Sequence, residues 1–326
     1  LAKTAPLLMC AMSVLPQLII CARALAAYPE CRFRLAYVRD WSRIGQLFAY
    51  AGSRFVVLLS LMLSTNGVGI LVNKCLGPLR NAAMSVGGTV TGHCLSLASA
   101  FSGAFSPAIT NAAGAGDFAR MRNLAYATCR LSTVAVGIFA LPVILEADEI
   151  LRLWLRTPPD WAGALVVCAL VCAVMDKLSE GCWLSVFAIG KVALFNAAES
   201  LVWFLMLPVA YAFIRGGFDV VGVGIANIVL NVCAVLVKVY FGRRVAGLSI
   251  RHWIRRVFAP IAVAFTCAAG GGVLSVLSAA PGVFRIVQTA AVAEVILLPL
   301  VWFLVLQDSE RKMVTAKLAR LIGGRT

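Results

Sequence analysis

The chain has 326 residues, 61% of them hydrophobic and only 13% charged, with a mean hydropathy of +0.93. A soluble globular domain carries about a quarter charged residues, so that class is excluded. The net charge of +15 gathers in loops between apolar runs, where topology and anionic lipid headgroups account for it without nucleic acid. The eleven cysteines form no CxxC pair, and His93 and His252 are far apart, so no zinc spacing is present.

Runs of about 20 apolar residues are long enough to cross the hydrocarbon core. They predict about nine transmembrane helices, at 5–27, 46–74, 83–113, 123–145, 161–188, 192–214, 220–241, 257–279 and 284–306. The opening stretch "LAKTAPLLMCAMSVLPQLIICARAL" is longer than a signal-peptide core and reads as the first span. The loop "AYPECRFRLAYVRDWSRIG" mixes arginines with Tyr28, Phe33, Tyr37 and Trp41, which predicts an amphipathic helix on the membrane surface. Asn66, Gly67, Gly69 and Asn73 loosen the second span. The third span has a small-residue face, Gly88, Gly92, Ser96, Ser99 and Gly103, and Gly88-x-x-x-Gly92 predicts close helix contact. Pro107 is placed to kink it, whereas Pro142, Pro208 and Pro299 read as span terminators. The tail "SERKMVTAKLARLIGG" suits a second surface helix.

Loops 28–45, 114–122, 188–192 and 242–256 and the tail 307–326 hold seventeen Lys/Arg, and the opposite loops hold seven. The richer side is expected to be cytoplasmic, with the C-terminus on it.

The fifth span, "VCAVMDKLSEGCWLSVFAIG", carries Asp176, Lys177 and Glu180. On a continuous helix Asp176 and Glu180 share one face as an i, i+4 pair, and Lys177 reaches Glu180 at i, i+3. A charge at mid-bilayer costs roughly 2.5–3.5 kcal/mol even on insertion scales, so these groups must face other helices or a wet cavity. Arg54, Arg130, Glu199, Lys238 and Glu294 are also charged within spans. Two readings stand: buried ion pairs that hold helices in register, or a polar transport chamber. In the second, Arg54 and Arg130 attract an anionic headgroup and Asp176 or Glu180 titrates in a coupling step. A membrane enzyme acting on polyprenyl phosphates would need clustered Asp or His with Mg²⁺ between carboxylate and phosphate. "EADE" at 146–149 is the only acidic cluster and no DxD occurs, so no catalytic residue or metal site is assigned.

Residues 72–121 carry a resemblance. "GPLRNAA", with Gly77, Pro78 and Asn81, matches a turn between two long helices, and "GDFARM", with Gly116 and Asp117, matches the turn that follows the next helix. With Pro107 near that helix's end, preceded by Ser106 rather than Asn, the stretch resembles the polysaccharide-flippase branch of the multidrug/oligosaccharidyl-lipid/polysaccharide exporter superfamily. It is most similar to O-antigen-type translocases. "VILEADEILRLWL" (143–155) and the 173–191 segment resemble further turns of that family, with Lys177 and Glu180 as unusual additions.

The resemblance implies an all-α fold of two six-helix lobes plus two further helices. Residues 1–45 would be the last helix of the first lobe and a cytoplasmic amphipathic loop. Residues 46–245 would be the second lobe, 246–306 two additional transmembrane helices, and 307–326 a basic cytoplasmic tail. The chain opens on Leu1, and the template expects about five helices upstream, from the same protein, or a second copy in their place. The implied function is flipping of a polyprenyl-pyrophosphate-linked oligosaccharide between leaflets of a bacterial inner membrane by alternating access. It needs no cofactor, and coupling to a proton or sodium ion stays open. The substrate-binding expectation is Arg54, Arg130, Asp176, Lys177 and Glu180. Alternatives are a drug/cation antiporter of the same superfamily and a non-transporting membrane scaffold.

Overall fold

The computed structural model describes residues 4–27, 41–308, 310, 311 and 315. Among these there is no strand, and the chain is a polytopic all-α membrane protein. It falls into two compact units, residues 1–52 and 53–326. In the first, α1 (Thr4–Ala27) leaves Met12, Leu18, Ile19 and Ile20 exposed, which suits a helix that meets acyl chains rather than water. The surface-helix expectation for the loop before Trp41 lies outside the described residues, and of the tail only Glu310, Arg311 and Thr315 are described.

The second unit begins inside α2 (Trp41–Met62), which passes through a π turn at Leu63–Gly67 into α3 (Val68–Leu76). The loosening expected from Asn66 and Gly67 takes this form. Then come α4 (Pro78–Gly114), α5 (Phe118–Leu145), α6 (Ala147–Leu155), α7 (Ala162–Lys177) and α8 (Glu180–Ile189). They are followed by α9 (Ala193–Phe204), α10 (Met206–Arg215), α11 (Val220–Ala246) and the short α12 (Ile250–Trp253). A π turn at Ile254–Phe258 leads into α13 (Ala259–Ser278), and α14 (Val283–Leu300) ends in a third π turn, Val301–Val305.

Each expected span falls on helical residues, although the fifth covers the two helices α7 and α8 and the sixth the two helices α9 and α10. Six described stretches are long and apolar enough to cross a membrane, and the α7–α8 pair, bent by 47°, makes a seventh if it counts as one span. α4 is the longest helix, yet it does not qualify. Its Gly, Ser and Thr residues lower its hydropathy, for a reason that becomes clear at the site below. The helix runs through Pro107 without a break, so the expected kink is not a helix end.

Local rules set the turns. Gly77 takes φ +93°, which a side chain would resist, and Pro78 follows as the first residue of α4, where its missing N–H is no loss. Gly116 takes φ +75°, and Asp117 then caps α5, its Oδ1 accepting from the Arg120 backbone N–H at 3.0 Å. Asp219 caps α11 by accepting from the Val220 N–H. Arg80, at the start of α4, pairs with Asp219 at 2.9 Å and with Asp160 at 3.2 Å, tying three helix starts together.

Without a hydrophobic force between helices in lipid, packing depends on close backbone approach. Gly181 of α8 faces the Ala125 carbonyl of α5, and Gly87 of α4 lies against the Leu165 carbonyl of α7. Gly88 and Gly92, expected to make such contacts, have open space at their Cβ positions instead. The close approach is one residue away, and the predicted face borders a cavity. This contrast is testable. Gly181→Ala is expected to destabilise the protein by about 1–3 kcal/mol, because the obstructing atom is backbone and cannot yield. Gly88→Ala should leave stability at wild-type level. Thermal unfolding in detergent would separate the two, and equal midpoints would refute the packing argument. α13 and α14 pack on one another and on α5, where Gly272 meets Leu145 and Gly137 meets Phe265.

Candidate functional site

The fifth predicted span is not one helix. α7 ends at Lys177 and α8 starts at Glu180, with Leu178 and Ser179 between them. The freed backbone groups find partners: the Leu178 carbonyl accepts from the Trp253 indole N–H at 2.9 Å, and the Asp176 carbonyl accepts from the Ser179 hydroxyl at 3.0 Å. Non-helical backbone at such depth is tolerated only where protein or a cavity satisfies it.

The break opens on a cavity of about 680 Å³ inside the second unit. That volume lies in the range of about 300–1,000 Å³ typical of small-molecule sites. α2 contributes Arg54, the first π turn Ser64 and Thr65, and α4 Gly88, Thr91 and Gly92. The small residues of α4 thus make room, which is why that helix is less apolar than its neighbours. α7 supplies Asp176, α8 Glu180 and Trp183, α9 Glu199 and Trp203, and α11 Asn227, Asn231 and Lys238.

Lys238 is the hub of the charges. Its Nζ lies 2.5 Å from Asp176 Oδ1 and 3.8 Å from Glu199 Oε1, joining α11 to α7 and α9. Lys177 pairs with Glu180 across the break at 3.2 Å. The Lys177–Glu180 contact expected at i, i+3 is therefore present, and Asp176, expected on the same helix face as Glu180, finds its cation on α11 instead. Arg54 takes part in no ion pair among the described residues; its guanidinium lies over the Phe187 ring, 5.3 Å from the centroid. Thr91 Oγ1 and Asn231 Oδ1 are buried and bond to no described protein group, and both residues belong to the cavity lining.

Of the five residues expected to contact substrate, Arg54, Asp176 and Glu180 line the cavity. Lys177 stands behind Glu180 and does not line it. Arg130 is elsewhere: it is 1% exposed and pairs with Glu310, beyond the end of α14, so its charge serves helix association. Sequence shows that Arg130 lies within a span but not which way it points round the helix. Glu199 and Lys238, left open between register pairs and cavity groups, prove to be both. Asn227 and Asn231 were not anticipated. Their i, i+4 spacing, continued at i+11 by Lys238, marks one polar face of α11 and could have found them. Gly77, Pro78, Asn81, Gly116 and Asp117 lie at turns and are not cavity groups, and neither is Pro107. Among the described residues no cluster of three or more His, Cys, Asp or Glu could hold a metal ion.

Fold and site together define a multi-pass helical membrane protein with an ion-paired internal chamber. A family model described as MatE matches residues 54–175, less than half of the chain. No curated protein and no solved structure matches it. The matched segment runs from Arg54 to the residue before Asp176 and supports membrane transport by a member of the exporter superfamily, a class of transporters rather than enzymes. Glu180, Glu199, Asn231 and Lys238 lie outside it.

Proposed function

We propose that the protein moves a polyprenyl-pyrophosphate-linked oligosaccharide across a bacterial inner membrane, with the cavity taking part of the sugar-phosphate headgroup. In this reading residues 46–245 act as one lobe of an alternating-access carrier, completed by upstream helices or by a second copy. Loop charge supports a cytoplasmic C-terminus. The observation that carries the proposal is Arg54, a cavity cation in no ion pair among the described residues, in a lining shared with Trp183, Trp203, Asn227 and Asn231. A guanidinium donates charge-assisted hydrogen bonds to phosphate, indole faces stack on sugar rings, and amides bond to hydroxyls. A sugar headgroup cannot cross hydrocarbon unaided because its hydroxyls would lose every partner.

Arg54→Gln is expected to lower export about tenfold or more while the protein remains in the membrane, since a hydrogen bond to a charged group is worth about 1.5–3 kcal/mol. Accumulation of lipid-linked glycan in the inner leaflet is the readout. Wild-type export by this variant would remove Arg54, and with it the anionic-headgroup reading.

One observation favours a second reading, a drug/cation antiporter. Three carboxylates line the cavity, Asp176, Glu180 and Glu199, against two cations, Arg54 and Lys238. Uptake of an organic cation into proteoliposomes, unaffected by Arg54→Gln, would support it over glycan export.

A further inference from the structure

A second pocket lies away from the cavity, between the π turns that precede α13 and end α14. Its volume is about 470 Å³, and Arg255, Arg256 and Arg311 line it with a single acid, Asp308. We infer that this pocket binds the phosphate of an anionic membrane lipid.

The walls are built from the fold. The segment after α14 is held in place at two points. Glu310 pairs with the buried Arg130 and also accepts from the Gln307 backbone N–H at 2.9 Å. Arg311 donates to the Trp302 and Phe303 carbonyls, each at 2.8 Å, and satisfies oxygens that the end of the last helix leaves free. Arg311 also pairs with Asp308 at 3.2 Å, which consumes that acid. Arg255 and Arg256 are exposed, and neither takes part in an ion pair or hydrogen bond among the described residues. Two adjacent cations with no partner, opposite a third that is already anchored, form a receptor for a compact anion. Phosphate is the anion whose oxygens suit several guanidinium forks at once.

The setting selects a lipid over free phosphate. Phe303 is 70% exposed and Phe258 45% exposed, one on each π turn, beside the arginines. Exposed aromatics next to basic groups at a helix end mark the interface, where acyl chains and headgroups meet. A lipid satisfies both halves of this surface, and inorganic phosphate satisfies only the charged half. None of these residues belongs to the transport cavity, so the inference stands independently of the proposed function.

The test uses the full chain in nanodiscs of phosphatidylcholine with graded phosphatidylglycerol, with retained lipid counted by native mass spectrometry. Wild-type protein is expected to retain phosphatidylglycerol in preference to phosphatidylcholine. Arg255→Gln/Arg256→Gln should weaken that retention about twenty-fivefold, about fivefold for each basic group at a membrane surface. Both side chains are exposed, so unfolding in pure phosphatidylcholine should be unchanged. If the double variant does not fold, the same comparison on Arg256→Gln alone, with about a fivefold loss expected, decides the matter. Equal retention by variant and wild type overturns the site, and displacement of the lipid by millimolar inorganic phosphate overturns its assignment to a lipid.

Discussion

Replacing Lys238 with methionine is expected to cost about 3 kcal/mol or more of stability and to abolish transport. Lys238 is 7% exposed and is the shared cation of Asp176 and Glu199. Removing one partner of a buried ion pair typically costs about 3–5 kcal/mol, because the remaining charge is left unpaired away from water. Here two carboxylates are stranded, on helices that their common cation holds against α11. The loss should be largely reversed in Lys238→Met/Asp176→Asn/Glu199→Gln, where neither carboxylate needs a cation. Thermal unfolding in detergent of the single and triple variants measures this. A single variant as stable as wild type would show that the pairs do not hold α7 and α9. A triple variant that regains stability but not transport would show that the charges also act on substrate or coupling ion.

Glu146→Ala is the second large effect. Glu146 is 2% exposed at the junction of α5 and α6. Its carboxylate accepts from Arg285 Nε at 3.0 Å and Nη2 at 2.8 Å, and from the Thr289 hydroxyl at 2.9 Å. It is the only group that joins α14 to this end of α5 by a bidentate, charge-assisted contact among the described residues. Alanine leaves the Arg285 charge and the buried Thr289 hydroxyl largely unsatisfied, for an expected loss of about 3–5 kcal/mol. Glu149, 3.7 Å from Arg285, can recover part of it. Glu146→Gln keeps some hydrogen bonds and should lose less, and Glu146→Leu/Arg285→Leu should recover most of the loss because no charge is stranded. Increased cleavage in the 279–282 connection, measured by limited proteolysis, is expected for Glu146→Ala. Unchanged proteolysis and an unchanged midpoint would mean that apolar packing alone holds α14.

The Gly77–Pro78 and Gly116–Asp117 turns were legible in the sequence because each depends on a residue's own backbone and its immediate neighbours. A positive φ needs glycine, and an N-cap needs a short acceptor. Six of the nine expected spans, seven with the bent α7–α8 pair, are long and apolar enough to cross a membrane, and these were legible because span length follows from bilayer thickness. The small-residue face of α4 was visible too, yet its meaning was not. A glycine permits either close contact or open space, and the neighbouring helix decides which. Arg54 and Arg130 look alike in sequence, each an arginine inside an apolar run. One reaches the cavity and the other an ion pair with Glu310, 180 residues away.

By itself the sequence determined that the chain is a multi-pass helical membrane protein, roughly where its apolar stretches lie, and which few charges fall within them. Only the tertiary structure decided that the fifth span breaks after Lys177, that Asp176 pairs with Lys238 of another helix, and that the chamber lies among α2, α4, α7, α8, α9 and α11. The physical reason is range. Helix length, caps and hydropathy depend on neighbours along the chain. The partner of a buried charge is whichever opposite charge the packing brings within a few ångströms, and no local pattern records that distance.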